Sequence, residues 1–411
     1  MKILKNILWL MTEKGSQILI GIFISGLLAR NLGVVDFGYF QYTISMILLF
    51  SSLTFICGSE VVVPKLVTSS KSERNSIITN CFLLRIIAST VGCLLFILYL
   101  YHTDIGKEYT LSIFLLALII LFREPFNTTV SILQSECNEK IAVWIRIIAL
   151  LTKLILLIIV YSLGYLNFQF TSILWLFECL LIASILVIIF KRIEPNYCFS
   201  FEKRDFFKLL NTGIKFWLGI MLMYLFLRID RIFIMYTLSP AILGTYSAAT
   251  QITDNMLTVA PIIAISAAPL LIYNKFSKKD IIRNVTLLTC VMAAIGFLIA
   301  IIGYFLSPLM ISIIFGSSYD DSTRILQYLF LLCIPIFIDA GLNTLIIKNG
   351  NGYIIMAKWT IALLIAITFN FIFIHKLGLT AIIVSNFLGY SSAVIFGLIY
   401  IINQKNKVIT K

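Results

Sequence analysis

Apolar runs long enough to cross a bilayer follow one another along nearly the whole chain, separated by short polar stretches. The runs are continuous and not alternating, which predicts helices and argues against barrel strands. Crossing ~30 Å of hydrocarbon takes about 20 mainly apolar residues. Backbone groups find no water at that depth, so only helices or closed barrels persist there. Twelve spans are predicted, over residues 9–32, 39–63, 77–101, 111–133, 141–163, 170–190, 211–238, 243–272, 281–306, 324–347, 354–374 and 378–401. Residues 1–8 carry Lys2 and Lys5 with no small-residue cleavage site after them, which predicts a retained first helix. The expected fold is an all-α polytopic membrane protein.

Composition agrees with lipid as the solvent. Of the 411 residues 60% are apolar and 12% charged, against about 25% charged in soluble domains. Mean hydropathy is +1.01. The net charge of +13 sits mostly in alternate loops, at Lys65, Lys71, Arg74, Lys140, Lys191, Arg192, Lys203, Arg204, Lys208, Lys275, Lys278, Lys279, Arg283 and Lys348, and at both termini. Positive residues stay cytoplasmic, so both termini are expected in the cytoplasm of an inner membrane. Trp9, Trp144, Trp217 and Trp359 fall where an aromatic belt at that surface is expected. The positive excess then faces anionic headgroups and not nucleic acid. The 8 cysteines are scattered without a Cys-x-x-Cys pair, so they read as small apolar residues and not as disulfides or metal ligands.

An internal repeat organises the spans. The longest polar stretch, residues 191–208, separates an N-terminal six-helix lobe (1–200) from a C-terminal one (201–411). A shift of about two hundred residues brings the halves into register. It sets Leu32-Gly33-Val34-Val35-Asp36-Phe37-Gly38-Tyr39 on Leu238-Ser239-Pro240-Ala241-Ile242-Leu243-Gly244-Thr245. It also sets Arg123-Glu124-Pro125-Phe126-Asn127-Thr128 on Asp339-Ala340-Gly341-Leu342-Asn343-Thr344. Two lobes of like topology are a transporter layout, with a central site opened to each side in turn.

The segment from Arg30 to Tyr39, the Arg228-Ile229-Asp230-Arg231 cluster, and Leu243-Gly244-Thr245-Tyr246-Ser247-Ala248-Ala249 resemble corresponding parts of bacterial polysaccharide flippases of the Wzx (O-antigen) type. The resemblance covers essentially the whole chain in length, span number and repeat. It implies the fold of the multidrug/oligosaccharidyl-lipid/polysaccharide exporter superfamily, with spans one, two, seven and eight around a central cavity. It implies export of undecaprenyl-pyrophosphate-linked oligosaccharides, with the polysaccharide polymerase and chain-length machinery as partners. No cofactor is implied.

Charges inside the spans are the candidate chemistry, since an ionisable group at the bilayer centre costs at least ~2.5–3.5 kcal/mol and normally faces protein or a wet cavity. Lys14, Arg30, Arg123, Asn127, Arg228 and Arg231 are candidates to bind the substrate. Guanidinium donates in a planar fork that suits pyrophosphate. Glu124, Asp254 and Asp339 are candidates for ion coupling, because burial disfavours a charged carboxylate. From Arg123 a polar stripe is expected through Asn127, Ser131, Gln134 and Asn138. Structural roles stay open: Glu124 pairing with Arg123, Asp230 pairing with its flanking arginines, and Arg30 and Arg231 reaching the headgroups. Arg85, Lys153, Glu178, Lys215 and Lys358 read as packing charges. There is no phosphate-binding Gly-x-x-x-x-Gly-Lys-Ser/Thr loop, and Gly350-Asn351-Gly352 reads as a turn. Two other functions stay open: a drug or cation exporter of the sister branch, which calls for acids in the cavity, and a membrane polymerase or ligase, which calls for a large outer loop.

Overall fold

The computed structural model of the protein describes residues 2–103, 107–268, 271–272, 277–349 and 352–409, with side chains described in these ranges except at 2–13, 71–72, 215–216 and 406–409. The predicted turn at Gly350-Asn351, the Lys275 side chain and the Trp9 side chain therefore lie outside the described residues. Everything that spans is helical. The helices are α1 (Lys2–Ser51), α2 (Ser59–Thr68), α3 (Lys71–His102), α4 (Thr110–Arg123), α5 (Asn127–Ser135), α6 (Glu139–Ser162) and α7 (Phe168–Ile193). They continue as α8 (Lys203–Thr237), α9 (Pro240–Ala268), α10 (Lys278–Ile314), α11 (Asp321–Leu331), α12 (Cys333–Lys348), α13 (Gly352–Leu377) and α14 (Leu379–Ile409).

These helices make the twelve predicted spans, three of them in pieces. The first two spans share α1, which turns at Gly33, where φ is 77° and ψ 172°. Glycine reaches that left-handed region without a Cβ clash. The second span continues as a 3-10 turn over Ser52–Cys57 and then, past extended Gly58, as α2. The fourth span is α4 and α5, broken at residues 124–126 around Pro125, which has no amide hydrogen to continue the ladder. Tight i to i+3 bonds bridge that break, from Asn127, Thr128 and Thr129 to the carbonyls of Glu124, Pro125 and Phe126. The tenth span is α11 and α12, joined at Leu332. Among the described residues, nine helical stretches are long and apolar enough to cross a membrane, and the first, Lys14–Thr68, holds two spans. Helices α8 and α9 fall outside the nine; they carry Arg228, Asp230, Arg231 and Asp254.

The chain forms two compact units, one of Met1–Gln41 with Leu225–Lys411 and one of Tyr42–Tyr224. The repeat boundary near residue 200 is a division of the sequence and falls inside the second unit. The repeat is visible in the packing of each. In the second unit the third span packs on the fourth, and the fourth and fifth pack on the sixth. In the first unit the ninth packs on the tenth, and the tenth and eleventh pack on the twelfth. Large apolar side chains point outward on these helices, among them Leu94, Ile155, Phe305 and Phe371, as lipid allows and water would penalise. Trp144 is half-exposed, as a belt residue should be. Trp359 departs from the expectation: it is buried and packs on Phe226 and Tyr390, with ring centroids 5.4 and 6.3 Å away.

Candidate functional site

Helices α8 and α9 bring together in the first unit what the sequence separates by a full span. Arg228 Nη1 and Arg231 Nη2 each donate to Asp254 Oδ2, both at 2.8 Å. Arg231 also donates to Thr250 Oγ1 at 3.1 Å and to Asp230 Oδ1 at 3.3 Å. The other Asp230 oxygen accepts the Tyr246 hydroxyl at 2.5 Å, and that hydroxyl accepts from Asn386 Nδ2 at 3.1 Å. Residues 228 and 231 stand three apart on one helix, so both guanidinium groups leave the same face. A cavity of about 30 Å³ lies against this cluster, lined by Asp230, Tyr246, Thr250, Asp254, Asn386 and Tyr390 among others. About 10–15 Å³ suffices for one water, so the cavity has room to hydrate the carboxylates.

The acids in this unit differ in access. The Asp254 side chain keeps 31% of its exposure, against 6% for Asp230. Asp339 is sealed: Lys358 Nζ lies 2.9 Å from both its oxygens and 2.6 Å from Asn343 Oδ1, and Asn343 Nδ2 donates back to Asp339 at 2.8 Å. The Lys358 side chain is 1% exposed, and its ammonium stands 4.7 Å from the Trp359 ring centre. Lys358, read from sequence as a packing charge, is thus the counter-ion of a candidate coupling residue. Only three-dimensional proximity reveals that pairing, because the two lie on different spans. Lys14 donates to Gln17 on its own helix at 3.1 Å.

Arg30 sits at the end of the spans marked by Gly33. Its guanidinium donates to the last carbonyls of α10: Ile314 at 3.1 Å, Ser312 at 3.3 Å and Ile313 at 2.5 Å. These are among the carbonyls a helix end leaves unbonded, where a cation also meets the negative end of the dipole. The Tyr319 hydroxyl donates to the Ala29 carbonyl at 3.0 Å, and burial pushes that phenol upward, keeping it a donor. Backbones touch directly here. A Cβ on Gly38 would lie 2.0 Å from the Pro240 carbonyl oxygen, and one on Gly244 would lie 2.0 Å from that of Val34.

In the second unit the expected stripe does not form one face. The break at Pro125 ends α4 at Arg123, which is exposed, while Ser131 on α5 is fully buried. Glu124 is buried and accepts from Asn127 Nδ2 at 3.1 Å; among the described residues it makes no ion pair with Arg123. In the other half Asn343, which the repeat sets on Asn127, likewise donates to a carboxylate of its own span, that of Asp339 four residues earlier. Arg85 is 3% exposed. It donates to the Cys57 carbonyl at 2.6 and 3.1 Å and to the Glu124 carbonyl at 3.3 Å. It also reaches the hydroxyls of Thr128 and Ser131 at 3.5 and 3.3 Å. It thereby serves the broken stretches of two spans at once. Lys153 pairs with Glu178 at 2.6 Å. Among the described residues there is no cluster of three or more His, Cys, Asp or Glu able to hold a metal.

This architecture defines a class. The chain superposes on the lipid II flippase MurJ in an inward closed conformation with a TM-score of 0.77 at 14% identity, over 98% of this chain and 90% of that one. It superposes on an inward-facing multidrug resistance transporter of the MATE family, in the MOP superfamily, with a TM-score of 0.71 at 14% identity, over 95% and 96%. For the Vibrio cholerae MATE transporter VcmN in its bent form the TM-score is 0.66 at 12% identity, over 100% and 97%. The protein thus has the fold of the multidrug/oligosaccharidyl-lipid/polysaccharide exporter superfamily. By sequence it belongs to the polysaccharide biosynthesis protein family, whose profile matches residues 3–273. No match was found among curated proteins.

Proposed function

We propose that this protein flips undecaprenyl-pyrophosphate-linked oligosaccharide repeat units, of O-antigen or a similar surface polysaccharide, from the cytoplasmic to the periplasmic leaflet by alternating access. The observation that carries this reading is the pairing of a polysaccharide-biosynthesis sequence with an exporter fold. The first supplies the class of cargo and the second the class of process. The protein lies in the bacterial inner membrane with both termini cytoplasmic, its lobes are residues 1–200 and 201–411, and the polymerase and chain-length machinery receive its product.

Lys14, Arg30, Arg123, Asn127, Arg228 and Arg231 contact the substrate during the cycle, the guanidinium groups taking the pyrophosphate. Glu124, Asp254 and Asp339 couple transport to an ion. Asp254 is the acid best placed for this, since one of its oxygens holds two guanidinium groups. Neutralising it with a proton releases Arg228 for a phosphate and leaves Arg231 held by Asp230 and Thr250. Binding of phosphate and binding of a proton then favour one another, and linkage makes the coupling reciprocal. Complementation tests the function: strains lacking their own flippase, one per repeat-unit type, should regain surface polysaccharide in at least one case. Failure in every strain despite normal membrane levels would refute it. Fold likeness to MATE transporters favours a drug exporter as the second reading; drug accumulation lowered by this protein, without complementation, would establish that reading instead.

A further inference from the structure

In the second unit a crevice of about 240 Å³ opens where the end of α2, the start of α3 and the first turns of α8 meet. Lys65, Thr68, Ser69, Glu73, Asp205 and Lys208 form its polar wall, and Ile77 and Leu209 its apolar one. Lys65 lies in the last turn of α2, at the end of the second span, and Lys208 lies just before the predicted start of the seventh, where lipid headgroups are expected.

The charges of this wall are unevenly engaged. Glu73 accepts the Ser70 amide at 2.9 Å and the Ser70 hydroxyl at 2.8 Å, closing the capping box of α3. Asp205 accepts the Ser76 hydroxyl at 2.9 Å. The Thr68 and Ser69 hydroxyls donate to carbonyls of their own helix. The two lysines remain: among the described residues neither forms an ion pair or a side-chain hydrogen bond. Two like charges facing one crevice, one of them half-buried, repel each other and lose hydration. An anion with several oxygens that bridges them relieves both costs. The volume is below the about 300–1,000 Å³ of pockets for drug-sized ligands, which suits a phosphate-bearing head.

We propose that this crevice binds the phosphate of a membrane lipid, gripped by Lys65 and Lys208. Two lipids carry that chemistry: the pyrophosphate of a polyprenyl carrier, which rests on the flippase reading and makes the crevice a loading site, and an anionic glycerophospholipid, which does not.

The test is native mass spectrometry of the full-length protein in detergent with undecaprenyl pyrophosphate, phosphatidylglycerol or phosphate-free undecaprenol. The Lys65→Gln/Lys208→Gln double variant should lose about tenfold in affinity for at least one phosphate lipid. Lys278→Gln/Lys279→Gln, which removes the same charge at exposed positions on α10, should lose none. Loss for the pyrophosphate lipid alone identifies a loading site. Loss for phosphatidylglycerol alone identifies a bound-lipid site, which stands even if flipping fails. Undecaprenol binding should not change. Should the glutamine variant fail to fold, Lys65→Ala and Lys208→Ala singly give the same readout. Unchanged phosphate-lipid binding, or equal loss in the control, overturns the proposal.

Discussion

Asp254 and Asp339 are the same residue type in different company, and the difference sets what each substitution should do. Asp339 is locked to Lys358 in a site closed to solvent. Removing one partner of a buried pair strands the other charge at a cost of about 3–5 kcal/mol. Asp339→Asn and Lys358→Met should each lower the thermal unfolding midpoint in detergent, and the double variant should recover much of the loss. Midpoints that simply add would show that the pair is not coupled. Arg123 is the opposite case. It is exposed and makes no ion pair with Glu124, so Arg123→Ala should insert normally. If it contacts the pyrophosphate, Arg123→Ala abolishes export and Arg123→Lys restores it in part, since lysine supplies charge without the fork. Wild-type export by a well-inserted Arg123→Ala would remove it from the site. At this scale the sequence was informative about which residues are costly in a membrane and uninformative about their partners. Arg228, Arg231 and Asp254 could be picked out by charge; Lys358 as the partner of Asp339 could not, because the contact spans 19 residues and two helices.

Breaks and close approaches carry the meaning at the level of elements. Arg85 serves carbonyls at two broken spans, and Pro125 sits in one of those breaks, where it has no amide hydrogen to give the helix ladder. At the Gly33 end, α1 meets α9 and the tail of α10 through glycine, with Arg30 capping α10. The proposed alternating access would part and re-form such a contact, and glycine suits it because backbone meets backbone. Gly38→Ala places a methyl group where the Pro240 oxygen lies. Overpacking of this kind typically costs about 1–3 kcal/mol. The variant should unfold at lower temperature, and a cysteine introduced at Val34 should label faster from that side than in the parent. Unchanged labelling and stability would mean the contact is already open in the membrane. The sequence put Gly33 and Gly38 between the first two predicted spans. It did not signal that Gly38 and Gly244, set against one another by the repeat, each seat on the other's neighbourhood.

The whole molecule poses the question of orientation. The asymmetry of lysine and arginine in the loops predicts that both termini are cytoplasmic, and an even number of spans agrees with that prediction. Reporter fusions after Lys411 and within residues 191–208 should both read cytoplasmic; a periplasmic signal from either would invert or break the topology.

The sequence by itself determined the solvent, the span number and the repeat. Each depends on composition and on periods within about 20 residues, which lipid enforces locally because every backbone group must be bonded within its own helix. Tertiary structure decided which charges meet. The stripe expected from Arg123 onward is interrupted because the helix breaks at residues 124–126, leaving Arg123 exposed and Ser131 buried. The network of Arg228, Arg231, Asp254, Asp230, Tyr246 and Asn386 exists because α8, α9 and α14 converge on one cavity. Pairing energies depend on distance and desolvation, and neither is written in the order of residues along a chain.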